Sequence, residues 1–132
     1  MWPSEYLPIP YERAGRSRSG ADCWGLVCLI YRDRRGIELP GFQYSSLTEA
    51  RSHIAVGMAG TGWREVDAPA ALDVALFQFV GHPLHVGVVI GPEMPGDMIH
   101  AMQGVGVSVE PFRGKRWGSR LCGFWRPAII PA

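Results

Sequence analysis

The chain has little of what would assign a function class by composition alone. No charge of one sign is in excess: 13 Lys and Arg stand against 12 Asp and Glu, a formal net charge of +1. No overall field draws such a protein to nucleic acid or to an anionic membrane, and neither is expected as a partner. There are three cysteines, Cys23, Cys28 and Cys122. That odd number, with neither a C-x-x-C pair nor zinc-site spacing, argues against a disulfide framework or a metal centre and leaves at least one thiol free. No segment approaches the roughly 18 uninterrupted apolar residues of a membrane span. Met1-Trp2-Pro3-Ser4-Glu5 lacks the basic start and apolar run of an export signal, so the expectation is a protein made in the cytosol without an export signal of its own. Internal repeats and low-complexity tracts are also missing. At 132 residues the chain fits one domain, 1–132, with room for a core that needs no covalent staples.

What is present is organised around Gly20-Ala21-Asp22-Cys23-Trp24-Gly25-Leu26. Cys23, Leu26, Val27, Ile30 and Tyr31 fall at the i, i+3, i+4, i+7, i+8 spacing of a buried helical stripe. Cys23 then lies in the first helical turn, where orphan backbone N–H groups and the positive end of the dipole favour a thiolate over a thiol. A stabilised thiolate is a nucleophile. Asp22 is placed to cap the helix, Gly36 to end it, and Gly20 and Gly25 allow a substrate or a neighbouring strand to come close. The competing reading is plainer, since cysteine is among the most buried residue types and often only fills a core.

Three prolines within residues 1–10 argue for an extended arm and against a helix. Arg13, Arg16 and Arg18 follow in a flexible, solvated loop. Ser46-Leu47-Thr48-Glu49 reads as a capping box for a second helix with a stripe through Leu47, Ala50, Ile54 and Met58; His53 in it reads as a surface or packing residue. From Trp63 the character changes to short β-branched runs separated by Gly and Pro: 63–66, 74–80, 85–90, 98–102, 105–109 and 123–126. These predict a meandering antiparallel sheet. Helices first and strands after give an α+β domain, with the cysteine helix laid on one face of the sheet.

A cysteine nucleophile needs a base, and the base needs a group to hold its ring. His85 opens one strand and His100 lies in the returning one. If the residue opposite His100 has the parity of His85, as Gly87 does, the rings are diagonal neighbours on one face. A slip of one residue would separate them. His82 is the rival base, but His82-Pro83 reads as loop. Cys28 and Cys122 read as core thiols, and Arg113, Lys115, Arg116 and Arg120 as a solvated basic loop.

Asp22-Cys23-Trp24-Gly25-Leu26-Val27, His85-Val86-Gly87-Val88-Val89 and Ile99-His100-Ala101, in that order, resemble the motifs of the NlpC-type cell-wall cysteine peptidases. The resemblance runs from about Tyr11 to Arg126 and is nearest to the branch of tailed phages and gene transfer agents, where a tryptophan follows the cysteine and a Gly-Arg-rich loop precedes it. It implies a papain-like fold, with N-terminal helices packed on the antiparallel sheet and the nucleophile at the tip of the first long helix. It further implies Cys23 as nucleophile, His85 as general base and His100 as the residue orienting it. By the same likeness Tyr11 helps line the reaction centre, Asp22 can receive the amino group of a stem peptide, and no metal or cofactor is required. Many relatives carry a serine where this chain has Trp24, so a large indole beside the groove would alter specificity.

The expected function is a peptidoglycan endopeptidase or amidase carried on the tail of a phage-like particle, made in the host cytoplasm and acting at the cell wall or periplasm. Residues 1–10 and the apolar tail 127–132 are expected to dock on tail-tip or baseplate proteins. The alternative is a structural tail-tip subunit without turnover, its groove closed by Trp24. A weaker option is acyl transfer to an amine on the same nucleophile.

Overall fold

A computed structural model describes residues 2–39, 62–79 and 82–130. The helix expected from the cysteine stripe is α1, Cys23–Arg35. Asp22 starts it: its backbone is extended and its side chain accepts the Gly25 N–H at 2.7 Å. Gly36 stops it at φ 65°, returning its N–H to the carbonyls of Arg32 and Tyr31. Trp24, Leu26, Val27, Leu29, Ile30 and Tyr31 are buried, each large apolar side chain worth roughly 1.5–3 kcal/mol of transfer free energy. No other α-helix occurs among the described residues, and none is long and apolar enough to cross a membrane. The expected second helix at 46–60, with His53, lies outside the described residues.

The N-terminal segment corrects the expectation of an extended arm. Trp2–Glu5 forms a 3-10 turn with Pro3 buried, and Tyr6 and Ile9 enter the core. The Tyr6 hydroxyl donates to Asp33 of α1 at 2.9 Å, and Ile9 accepts the Val107 N–H. Prolines that would break an α-helix fit a single 3-10 turn, and the aromatic side chains find cover on the chain's own helix. At the other end, Arg64 donates to the carbonyl of Ile130 at 2.6 Å and Ala128 N–H to that of Gly62, while Ile129 stays 77% exposed. The described parts of both segments expected to dock on neighbours, 2–10 and 127–130, are thus tied to their own chain.

The arginine-rich loop before α1 is also more ordered than expected. Arg16–Ser17 (β1) pairs antiparallel with Gly20–Ala21 (β2), and Arg18 forms an ion pair with Asp33 at 2.8 Å. A Cβ on Gly25 would lie 1.8 Å from the Gly15 carbonyl oxygen. The close approach that Gly25 permits is therefore that of this hairpin.

The sheet contains β3 (Trp63–Val66), β4 (Val74–Phe79), β5 (His82–Gly91), β6 (Met94–Met102), β7 (Gly106–Pro111) and β8 (Leu121–Pro127). Its order is β3-β8-β4-β5-β6-β7, all antiparallel. Strands β4 to β7 meander as expected, but β8 returns to lie between β3 and β4. Residues 112–120 must therefore cross the sheet from one edge towards the other. α1 packs on β5 and β6, over a core of Val74, Leu76, Val86, Val88, Ile90, Ile99 and Ala101. Residues of the other parity, Ala75, Phe77, Val89 and Met98, join Phe112, Trp117 and Phe124 in a second cluster beneath the crossing segment.

Candidate active site

The hairpin register decides whether the two histidines can cooperate. Val88 pairs with Ile99 and Val89 with Met98, and continuing that register sets His100 opposite Gly87, on the face shared with His85. The rings meet: His85 Nε2 lies 2.8 Å from His100 Nδ1. Gly87 leaves the room for this, since a Cβ there would stand 2.5 Å from the Met98 sulfur and 3.4 Å from the Cβ of His100. β5 begins at His82, so that residue is in strand and not in the expected loop; the longer strand reflects an edge of pairing that reaches Phe79 across a register shift.

Two further residues complete the histidine pair and were missed from sequence. Glu110, two positions beyond the Ser108 that faces His100, places Oε2 2.6 Å from His100 Nε2. Trp117, from the crossing segment, stacks on His85 with ring centroids 5.1 Å apart and planes 19° apart, and meets His100 edge-on at 5.0 Å. Arg116 binds the outer oxygen of Glu110 at 3.2 Å. The basic loop that reads as a solvated face therefore covers the imidazoles. A signal for Glu110 was available: the parity rule that joins His85 to His100 selects it one strand further on. Trp117 carried none, because its position depends on the crossover.

Electrostatics favour a neutral imidazole beside a carboxylate. Burial lowers the His100 pKa, against the opposing pull of Glu110, and Arg116 lowers it further. For Glu110 burial alone would raise the pKa, but the Trp117 indole, His100 and Arg116 outweigh it and hold the group below the ordinary carboxylate range.

The remaining sequence-predicted residues gather at the tip of α1. Cys23 is its first residue and is half-buried. Asp22 is 4% exposed; one carboxylate oxygen takes the Gly25 N–H and the other the Ala14 N–H at 2.9 Å, fixing Ala14 at φ 61°. Capping and loop anchoring are thus its observed contacts. Tyr11 is half-buried and its backbone bridges Ala21, two residues before the cysteine. Trp24 is a correction: at 2% exposure it is a core side chain, packed with Trp63 at 6.0 Å, because it points inward from the buried stripe of α1. So placed, it offers almost no surface to solvent. Cys28 is half-buried against the core, and desolvation pushes its thiol up to about 12. Cys122 is exposed on β8, against the expectation that it is buried. The structure brings His85 and His100 into contact on the sheet face of Phe77, Val89 and Met98, and sets Tyr11, Asp22 and Cys23 together at the tip of α1, the helix that packs on β5 and β6.

Comparison with known proteins adds an independent line. A family model described as the NlpC/P60 family matches residues 9–126. A probable endopeptidase p60 of Listeria grayi is 31% identical over 125 residues, covering 92% of this chain and 21% of that protein. The murein DD-endopeptidase MepS/murein LD-carboxypeptidase of Escherichia coli (strain K12) is 26% identical over 117 residues, covering 89% of this chain and 55% of the relative. The chain thus spans about a fifth of one curated relative and about half of the other. The solved NlpC/p60 domain of the peptidoglycan hydrolase SagA superposes with a TM-score of 0.59 at 26% identity, with 84% of each chain covered.

Proposed function

The chain belongs to the NlpC/P60 family, and from that membership we propose that it is a cysteine peptidase that hydrolyses an amide bond in the peptide part of peptidoglycan. The observation that carries the reading is the buried His85–His100 contact at 2.8 Å, on a chain whose only thiol in the first turn of an α-helix among the described residues is Cys23. Buried imidazoles in line with a carboxylate are costly to keep in a core for packing alone.

In this reading Cys23 gives its proton to His85 and attacks the carbonyl carbon as thiolate. The backbone N–H at the helix tip stabilises the oxyanion, with Tyr11 beside it. His85 then protonates the departing amine, and the acyl group stays on sulfur. Water, activated by His85, releases the acid and restores the thiol. His100 keeps the His85 ring in one orientation throughout.

The test is release of stem-peptide fragments from purified peptidoglycan, read by mass spectrometry, with Cys23→Ala as control. Fragments released only by the unmutated protein support the reading. A folded protein that releases none, and whose Cys23 reacts with iodoacetamide no faster than Cys122, overturns it.

The finer setting we propose is the tail of a phage-like or gene-transfer-agent particle, from which the enzyme reaches the cell wall. Its support is the Gly-Arg-rich loop before Cys23 and the tryptophan after it. Docking through residues 1–10 is not part of the proposal, since Pro3, Tyr6 and Ile9 are spent on the chain's own core. Nor does the turnover-free alternative keep its argument, because Trp24 is in the core. Peptide mapping of density-purified particles should detect the chain; its absence from them would remove the particle setting and leave the peptidase.

A further inference from the structure

We infer that Glu110 is a positioning residue of this site, whose carboxylate fixes the proton on Nε2 of His100 and, through it, on Nε2 of His85, so that the basic lone pair of His85 resides on Nδ1. The inference deepens the peptidase reading and rests on it for what His85 does.

The argument is one of donors and acceptors. An ionised carboxylate only accepts, so at 2.6 Å from Glu110 Oε2 the Nε2 of His100 must carry a hydrogen. A neutral imidazole has one N–H, which makes Nδ1 of His100 an acceptor. His85 Nε2 lies 2.8 Å from that nitrogen and must donate to it. A neutral His85 then has its lone pair on Nδ1. Were Glu110 absent, His100 could reverse, with Nδ1–H pointing at His85; the His85 lone pair would be drawn to Nε2 and spent on His100.

The geometry makes such reversal costly. The three side chains run diagonally over β5, β6 and β7, each on the face of the next, so backbone pairing sets their spacing. The His100 side chain is fully buried and Glu110 is partly exposed. Trp117 lies flat on His85 and edge-on to His100, which holds both ring planes while protons move. The charged groups facing His100 are Glu110 and, beyond it, Arg116. Arg116 tethers the outer carboxylate oxygen at 3.2 Å and leaves the inner one for the ring. When His85 becomes cationic, the carboxylate stabilises it through the polarised His100, as a charge-assisted chain should.

The experiment uses the whole chain. Long-range ¹H–¹⁵N correlation of the histidine rings, above the ordinary histidine pKa, should find both His85 and His100 of the unmutated protein as Nε2–H tautomers. His100 with its proton on Nδ1 would overturn the inference with no variant needed. Glu110→Gln keeps the shape and removes the charge. We expect the pH dependence of Cys23 alkylation, resolved from Cys28 and Cys122 by peptide mass mapping, to move up by about one unit. On peptidoglycan fragments kcat should fall about tenfold at little-changed KM, with partial recovery in Glu110→Asp. A folded Glu110→Gln with an unmoved alkylation profile and unchanged kcat overturns the positioning role. If Cys23 of the unmutated protein is unreactive, the peptidase reading fails instead, and the tautomers still decide what Glu110 does.

Discussion

His85 and His100 touch through ring nitrogens 2.8 Å apart although 15 positions separate them in the chain. The contact exists because a two-residue offset across one hairpin puts both rings on one face, and because Gly87 between them has no side chain. Replacing His85 by alanine should lower kcat/KM on peptidoglycan fragments roughly 10²–10⁴-fold, the usual weight of a general base. His100→Ala should cost less, on the order of 10²-fold in kcat, since the base remains but loses its orientation. Steady-state kinetics with circular dichroism as a folding control checks both. Equal activity in His100→Ala and the unmutated protein would detach His100 from the mechanism.

Asp22 supports the first turn of α1, the helix that Cys23 begins. Its two oxygens hold Gly25 N–H at the start of α1 and Ala14 N–H in the preceding turn. Asp22→Ala removes both, and loss of a cap with a second buried backbone bond should cost about 1–2 kcal/mol in urea unfolding. Asp22→Asn retains one acceptor oxygen and should recover about half of that. If these contacts are what the residue is for, KM changes in neither variant. A KM that rises in Asp22→Asn at unchanged stability would instead give the carboxylate to the substrate's amino group.

The helix, its two caps, the six strands of the large sheet and the shared face of the histidines are legible in the sequence, because each rests on local periodicity or on parity across a tight hairpin; the β1–β2 hairpin is not. What was not legible depends on long-range order. The place of β8 between β3 and β4 follows from which strand offers a free edge, and no local pattern encodes that. Trp117 reaches His85 only because of that crossover. Trp24 looked like a groove residue through likeness to relatives, yet its own position beside Leu26 and Val27 already allowed an inward side chain. The lack of a basic partner in sequence suggests a core thiol at Cys122, whereas strand alternation puts its neighbour Leu121 partly inside and Cys122 outside.

One ion pair fastens the returning strand. Arg126 of β8 binds Asp73, just before β4, through two bonds of 2.7 Å, and Asp73 is 1% exposed while also accepting the Ala70 N–H. Arg126→Ala would strand a buried carboxylate, and removing one partner of such a pair should cost about 3–5 kcal/mol. Arg126→Lys keeps the charge but not the two-pronged geometry and should fall in between. Replacing both, Arg126→Leu with Asp73→Asn, should recover part of the loss. Equilibrium denaturation of these proteins, with Arg126→Leu and Asp73→Asn as the component single variants, measures this; additive losses in the double variant would show that the pair is not coupled.

Stability should fall at both ends of the pH scale, for different groups. On the acid side, His100 is lowered from 6.5 chiefly by burial. The unfolded chain therefore binds a proton the native state refuses, and stability is lost as pH falls below about 6.5. Glu110, lowered from 4.5 despite burial, adds to the loss below that value with the same sign. On the alkaline side, desolvation raises Cys28 from 9.0 to about 12. Here the native state keeps a proton that the unfolded chain releases, so stability is complete below pH 9.0 and drains away as pH climbs towards 12. Tyr6, raised from 10.0 to about 12 by burial and its bond to Asp33, and Tyr31, raised by burial, begin to act about one unit later. The melting temperature followed across pH should form a plateau with these two shoulders. Cys28→Ala should delay the alkaline shoulder to the range of the tyrosines, and an unmoved shoulder would mean that the Cys28 thiol ionises as easily in the native state as in the unfolded chain.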